Sequence, residues 1–291
     1  MTRAMPQVSA LLVNYNSGFE LRRALQSIAD ENVGRPWEAV VVDNASTDSS
    51  SNIVDEFAPP ARLLRNAENV GFARGINQAL AHSAAPLVVI MNPDCYLVGG
   101  ALTTLEAELL SHDTCAIVGP RILDPDGSIQ GSARGDPDML TGLFGRRAAL
   151  RRLLPGLSVS KRNVVADHVR MAHSSVVVDW VSGACMLARR EALEKVGGFD
   201  ESYFLYWEDA DLCRRLRRIG YDIRYVPGAT AVHRVGQSSR SARALSIRAF
   251  HESAYRYYAT HVAPGALNPK RLLARLILWA RCWLQVRAAR L

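Results

Sequence analysis

The stretch "YWEDADLCRRLRRIGY" (Tyr206 to Tyr221) gathers Glu208, Asp209 and Asp211 beside Trp207 and then runs into a basic helical pattern. A carboxylate facing an alcohol can take its proton as the oxygen attacks, so this cluster has the composition of a general base with helpers. Like charges placed this close raise one another's affinity for a proton. A plainer role competes with this one. Acids in a first turn satisfy free amides and complement the helix dipole, here with Arg214, Arg215, Arg217 and Arg218 as balance further along.

A second group of polar residues sits where apolar runs end. "LLVNYNS" ends in Asn14-Tyr15-Asn16, "VVVDNASTD" in Asp43-Asn44 with Ser46 or Thr47 placed to cap a helix, and "VVIMNPDCYL" in Asn92-Pro93-Asp94. Asp43, an acceptor-only carboxylate, can take hydrogen bonds from a nucleobase imide or a ribose hydroxyl. Asp94, with a rigid proline before it and an amide two residues back, reads as a one-carboxylate site for Mg²⁺ or Mn²⁺ that phosphates would complete. "NVGFARGINQAL" places two glycines and Arg74 at a helix start, which suits either an anionic ligand or close packing. His233 follows the last apolar run; imidazole is a good Mn²⁺ ligand, and a structural histidine is the alternative.

Such residues need a scaffold that presents strand ends together. Val8–Val13, Ala39–Val42, Arg62–Leu64, Leu87–Met91 and Cys115–Val118 read as strands, alternating with helical spacing over Phe19–Asp30, Ser49–Phe57, Phe72–Ala81 and Ala101–Ser111. That rhythm predicts an α/β fold with a mainly parallel sheet, helices on both faces and ligands at the carboxyl ends of the strands. From about Gly131 to His173 the rhythm breaks, as in an insertion. It returns in "SVVVDWVSGACMLARREALEKVGGFDE" as a strand, a turn at Ser182–Gly183, a short strand and a helix stopped by Gly197–Gly198. A strand over Asp222–Val226 and helices over about Leu245–His261 and Pro269–Ala289 finish the chain.

Charge is distributed unevenly. The net +7 of the 291 residues arises in the tail, where Arg240 to Leu291 hold ten basic residues and one acid, leaving −2 for residues 1–239. A basic tail argues for an anionic surface or polyanion there and against a nucleic-acid-binding body. In that tail Leu273, Leu276, Ile277, Ala280, Trp283 and Leu284 recur at helical spacing, with Lys270, Arg271, Arg275 and Arg281 on another face. This is the pattern of a helix lying in a membrane interface or packing on protein. The five cysteines are scattered and form no C-x-x-C pair, which fits a reducing cytoplasm better than a disulfide or zinc framework. Met1–Gln7 lacks an apolar signal core and no long uncharged apolar stretch occurs, so the expectation is a cytoplasmic chain, at most peripheral on the inner face of the membrane. No G-x-G-x-x-G follows the first strand, which excludes a dinucleotide-dependent dehydrogenase, and "NYNSGFE" is not the loop of a sugar-nucleotide pyrophosphorylase.

Taken in order, "VNYN", "VVVDNASTD", "ENVGFARGIN", "MNPD", the segment from Ser182 to Tyr221 and "VHRVGQSS" resemble the family 2 glycosyltransferases, notably the rhamnosyltransferase-like branch, over about Val8 to Ser239. The resemblance implies a GT-A fold: residues 1–238 as catalytic domain, with a nucleotide-sugar half to about 118, an acceptor half over 119–238 carrying the insertion at 131–173, and a flexible loop and basic helices over 239–291. It implies an inverting, metal-dependent transfer, with dTDP-L-rhamnose as donor before UDP-hexoses and a polyprenyl-linked or polysaccharide acceptor of the cell envelope. Asp209 then corresponds to the general base, with Glu208 and Asp211 gripping acceptor hydroxyls or raising its basicity and Trp207 stacking on a sugar ring, and Asp43 corresponds to the residue that holds the nucleotide base. Asn14, Asn16, Asn44, Arg74, Asn77 and Asn92 fall in the nucleotide-sugar stretches, with Arg240 and Arg243 in the loop over the diphosphate. Asp94 and His233 fall at the metal. Asn92 stands where many relatives have Asp, so the motif carries one charge fewer. A non-catalytic glycan- or lipid-binding protein on the same scaffold is the rival reading.

Overall fold

The computed structural model describes residues 5–136, 172–234 and 243–289. Five strands open the chain: β1 (Val8–Asn14), β2 (Trp37–Asp43), β3 (Ala61–Arg65), β4 (Leu87–Met91) and the short β5 (Cys95–Leu97). Then come β6 (Cys115–Leu123), β7 (Ala133–Arg134), β8 (Val176–Val178), β9 (Trp180–Val181), β10 (Cys185–Arg189) and β11 (Asp222–His233). Nine of them form one sheet in the order β3-β2-β1-β4-β10-β6-β11-β5, with β8 beside β11, while β7 and β9 make a separate ribbon. β1 to β4 are parallel; β10 runs against both its neighbours, and β11 runs parallel to β6. β6 crosses the expected division near residue 118, and one continuous sheet spans both halves.

The helices are α1 (Glu20–Glu31), α2 (Phe72–Ala81), α3 (Ala101–Leu110), α4 (Arg190–Lys195), α5 (Glu208–Arg218), α6 (Arg243–Tyr257) and α7 (Pro269–Ala288), with a 3₁₀ helix over Ser50–Phe57 and a π turn over Tyr258–Val262. A strand alternates its side chains between two faces, and β1 divides accordingly. Val8, Ala10 and Leu12 join Leu21, Leu25 and Ile28 of α1 and Leu102, Leu105 and Leu109 of α3. Leu11 and Val13 join Phe72 and Ile76 of α2, Leu193 of α4 and Leu212 and Leu216 of α5 on the other side. Burial on both faces is why β1 and β2 read as unbroken apolar runs.

Two departures from the sequence reading matter for the site. β11 does not stop at Val226: a register shift between Val226 and Thr230, at Pro227-Gly228, lets it continue and pair His233 with Cys95 of β5. Ser46 and Thr47 cap nothing. Asp48 Oδ1 accepts from Ser50 N at 3.1 Å at the start of the 3₁₀ helix, and Ser46 is drawn instead into the end of β1. Most of the insertion, 137–171, lies outside the described residues.

Candidate active site

The β11–β5 register brings His233 to Asp94, far apart in sequence, so that Nε2 lies 3.2 Å from Asp94 Oδ1 and 3.3 Å from Asn92 Nδ2. The ring's other nitrogen is fixed by Gln130. Its Nε2 donates to Asp124 Oδ1 at 2.8 Å and to the His233 carbonyl at 2.9 Å, so Oε1 must be the atom facing His233 Nδ1 at 3.2 Å. An amide oxygen only accepts, and Nδ1 therefore carries the hydrogen in the neutral ring. Nε2 is then an acceptor, facing the Asn92 amide and the Asp94 carboxylate. One carboxylate and one such imidazole suit a divalent cation of the Mg²⁺ or Mn²⁺ type. Among the described residues no group of three or more His, Cys, Asp and Glu is gathered, so phosphate or water oxygens must fill the remaining positions.

Asp209 is held on the other side of one short turn. Gly183 N donates to Asp209 Oδ2 at 3.0 Å, and the next residue's carbonyl, Ala184 O, accepts from Asn92 N at 3.0 Å. The turn Ser182–Ala184 thus ties the β4 end, which carries Asp94, to the start of α5, which carries Asp209. Burial pushes the Asp209 carboxyl up, while the amides of Gly183 and Ala210 and the Arg134 guanidinium restrain the rise. Glu208 is buried, its Oε2 has no hydrogen-bond partner among the described residues, and burial followed by the adjacent Asp209 charge pushes it well above the usual carboxylate range. The backbone ahead of them is strained: Tyr206 and Trp207 have φ of 69° and 71°, a region that costs bulky residues about 1–3 kcal/mol each.

The C-terminal elements hold that strained segment. Ser253 Oγ donates to Leu205 O at 2.9 Å, and Trp207 packs on Phe250 and Tyr257 with ring centroids 6.0 and 5.3 Å away. Trp207 is thereby engaged with the tail helix, its Nε1 buried without a partner. Asp211 is not free for a ligand. It is 2% exposed, its Oδ1 meets His261 Nε2 at 2.6 Å and its Oδ2 accepts from Arg215 Nε at 2.7 Å. Burial alone would raise the Asp211 carboxyl, but those two partners outweigh it and hold it below the usual range.

The predicted nucleotide residues form a hydrogen-bonded knot. Asn14, with no exposed surface, donates to Asp43 Oδ1 at 2.7 Å, Ser46 Oγ at 3.1 Å and Ser50 Oγ at 2.8 Å, and accepts from Ser17 Oγ. Asp43 Oδ2 accepts from Ser46 N at 3.1 Å. Asn16, in the left-handed region at φ 51°, accepts from the Thr47 amide at 2.7 Å. Asn44 donates to Asn69 Oδ1 and Gly71 O, both at 3.1 Å, and accepts from Asn66 Nδ2.

At α2 the packing alternative holds. A Cβ on Gly71 would lie 2.4 Å from Phe204 O, one on Gly75 would lie 2.7 Å from Val13 Cγ2, and the Phe72 amide already donates to Phe204 O at 2.7 Å. Asn77 clasps the backbone of Phe199 from both sides at 2.9 Å, and Arg74, half exposed, faces Glu201 at 3.8 Å. Arg240 lies outside the described residues, and Arg243 is exposed at the first turn of α6. Two residues were not singled out from sequence. Gln130 and Arg134 flank the point where the rhythm breaks; Arg134 lies over the Trp180 ring at 5.4 Å, with its charge felt at Asp209. A carboxylate-imidazole pair and an elevated carboxylate, tied to one turn, are equipped to hold a cation and to take up a proton.

The model of Glycosyl transferase family 2 matches residues 9–197, and that of Glycosyl transferase family group 2 matches 146–287. The chain is 32% identical over 300 residues to an N-acetylglucosaminyl-diphospho-decaprenol L-rhamnosyltransferase of Mycobacterium tuberculosis (strain ATCC 25618 / H37Rv), covering 99% of this chain and 95% of that one. It is 37% identical over 103 residues to the rhamnosyltransferase WbbL of Escherichia coli (strain K12), covering 35% and 38% of the two chains. Among solved structures, a Pyrobaculum calidifontis mannosyltransferase in complex with GDP-Man and Mn²⁺ superposes with TM-score 0.60 at 20% identity, over 98% of this chain and 72% of that one. S. aureus TarS does so with TM-score 0.55 at 15% identity, over 97% and 83%. The family model over 189 of the 291 residues and the near full-length relative show that the chain, with its GT-A fold, belongs to glycosyl transferase family 2.

Proposed function

We propose that the chain transfers L-rhamnose, from dTDP-L-rhamnose, with inversion, to a hydroxyl of a lipid-linked or polysaccharide acceptor in cell-envelope glycan synthesis. The observation that carries this reading is the Ser182–Ala184 turn, which fastens the Asp94–His233 pair and Asp209 within a few residues of one another. The near full-length likeness to a rhamnosyltransferase whose name specifies a diphospho-decaprenol-linked acceptor supports the choice of sugar and acceptor.

Asp94 and His233 would hold the divalent cation, Mg²⁺ or Mn²⁺, with Gln130 keeping the imidazole in the ligating tautomer. When bound, such a cation supplies Lewis-acid stabilisation of the departing nucleotide diphosphate. Asp209 takes the proton of the acceptor hydroxyl as its oxygen attacks the anomeric carbon from the face opposite the nucleotide. Glu208, whose carboxyl burial pushes up, stands beside the base on the acceptor side. The knot around Asn14 and Asn16 shapes the wall on which Asp43 and Asn44 receive the nucleoside; each Asp43 oxygen retains an acceptor lone pair beyond its internal bond. Arg74, Asn77, Arg240 and Arg243 belong to the donor side, Asn77 by holding the Phe199 loop in place. Residues 1–118 and 119–238 then act as donor and acceptor halves of one sheet, and the tail meets the inner face of an anionic membrane. No helix among the described residues is long and apolar enough to cross a bilayer. Incubation with dTDP-L-rhamnose, UDP-hexoses and a polyprenyl-diphosphate-linked acceptor plus Mn²⁺ tests the reading: rhamnosyl product is expected, and transfer from a UDP-hexose in its place would overturn the donor.

A further inference from the structure

α7 packs on α6 through few residues. Ala274 and Leu278 are buried against Ala254, Tyr258 and Ala263, with Ile277 beside them. Of the large apolar residues that the sequence placed on one face, Ile277 joins this seam and the others do not. Leu273, Leu276, Trp283 and Leu284 are exposed, together with Leu272 and Trp279; Trp279 is 68% and Trp283 51% exposed. Leu272, Leu276, Trp279 and Trp283 follow one another at spacings of four, three and four, which puts them in one row along the helix. Where this row meets α6, a cavity of about 460 Å³ is lined by Arg248, Trp279, Cys282, Trp283, Val286 and Arg287. The Arg287 guanidinium lies over the Trp283 ring at 5.3 Å. The groove therefore has guanidinium groups at its rim, indoles on its wall and a row of leucines leading away.

We propose that this groove is a phospholipid site: the phosphate of one anionic bilayer lipid sits between Arg248 and Arg287, Trp279 and Trp283 lie at the head-group level, and Leu272 and Leu276 enter the acyl boundary. Charge complementarity selects this occupant. The tail carries +9 where the rest of the chain carries −2, and a second copy of the same chain would set its own arginines against these. Arginine's planar fork suits a phosphate, and tryptophan is the side chain that prefers the interface. The inference deepens the proposed function and rests on it, because an enzyme acting on a diphospholipid must meet it at a membrane. The groove lies on the helix that also braces Trp207, since Arg248 and Phe250 are two residues apart on α6.

The test uses the full chain with phosphatidylglycerol and phosphatidylcholine vesicles, read by co-sedimentation and by the blue shift of tryptophan emission. Binding to phosphatidylglycerol alone is expected. Arg248→Gln and Arg287→Gln should each weaken it about fivefold, the cost of one interfacial cation, and Trp279→Ser with Trp283→Ser should abolish the blue shift. Mn²⁺-dependent hydrolysis of dTDP-L-rhamnose should be unchanged in all four variants, which separates a failed groove from a failed enzyme. Equal binding to both vesicle types, or full phosphatidylglycerol binding by Arg248→Gln/Arg287→Gln, would overturn the site. A dimer in sedimentation that Trp279→Ser disperses would overturn it too, and assign the groove to a second copy. The arginine pair keeps the test decisive if the tryptophan variants fail to fold.

Discussion

At the ends of β1 and β2, the side chains of Asn14, Asp43 and Asn44 are buried and bonded to one another, to serine hydroxyls and to backbone. At the start of α5, Glu208 is buried too but the bonding is incomplete: among the described residues Glu208 Oε2, Trp207 Nε1 and Tyr203 Oη have no partner. A buried polar group left unbonded is costly, and native structures keep few of them. The first region is complete in its internal bonding. The second keeps buried polar groups beside the proposed base that the described residues do not satisfy. The difference shows that equal burial of acids does not mean equal roles; what their oxygens are bonded to separates them.

The comparison can be broken most directly at Asp209. Asp209→Asn should lower transfer by about a hundred- to ten-thousandfold with nucleotide-sugar affinity retained by calorimetry; full turnover would remove the base. Asp211, two residues on, belongs to the finished kind. Asp211→Ala should leave His261 and Arg215 without their partner and destabilise the fold by about 3–5 kcal/mol, seen as a lower chemical-denaturation midpoint. Because its partners hold the Asp211 carboxyl low, their stabilisation is in force at neutral pH and is lost as pH falls through the ordinary carboxylate range. Gln130→Leu should weaken Mn²⁺ binding by about ten- to a hundredfold, measured by electron paramagnetic resonance with dTDP present, with Asp94→Ala weakening it further. The smallest effect is expected at Glu208. A carboxyl held above its ordinary value costs the folded state once pH passes the unfolded-state value, so the native chain should lose stability as pH rises above about 4.3. Glu208→Gln should remove that slope and raise Tm near neutrality by about 2 °C.

The alternating core was legible because β1, β2 and β4 are apolar on both faces and their helices carry regular buried stripes. The end of β11 was not, because Pro227-Gly228 has the chemistry of a stop and only the partner strands show that the chain bulges and continues. Asp94, His233 and Asp209 were singled out through motifs at strand and helix ends, and the structure brings the first two together. Gln130 escaped because its importance lies in which of its two amide atoms faces His233, which neighbours decide. Asp211 was read with the wrong role for the same reason: its partner, His261, is fifty residues away on a turn the sequence shows only as a helix end.

α6 has a working surface on each flank, one against Trp207 and Leu205 and the other lining the arginine-tryptophan groove. A chain cut after residue 238 would therefore lose the contacts of α6 with Trp207 and Leu205 beneath the proposed base, and its idleness in an assay would be mistaken for a missing lipid.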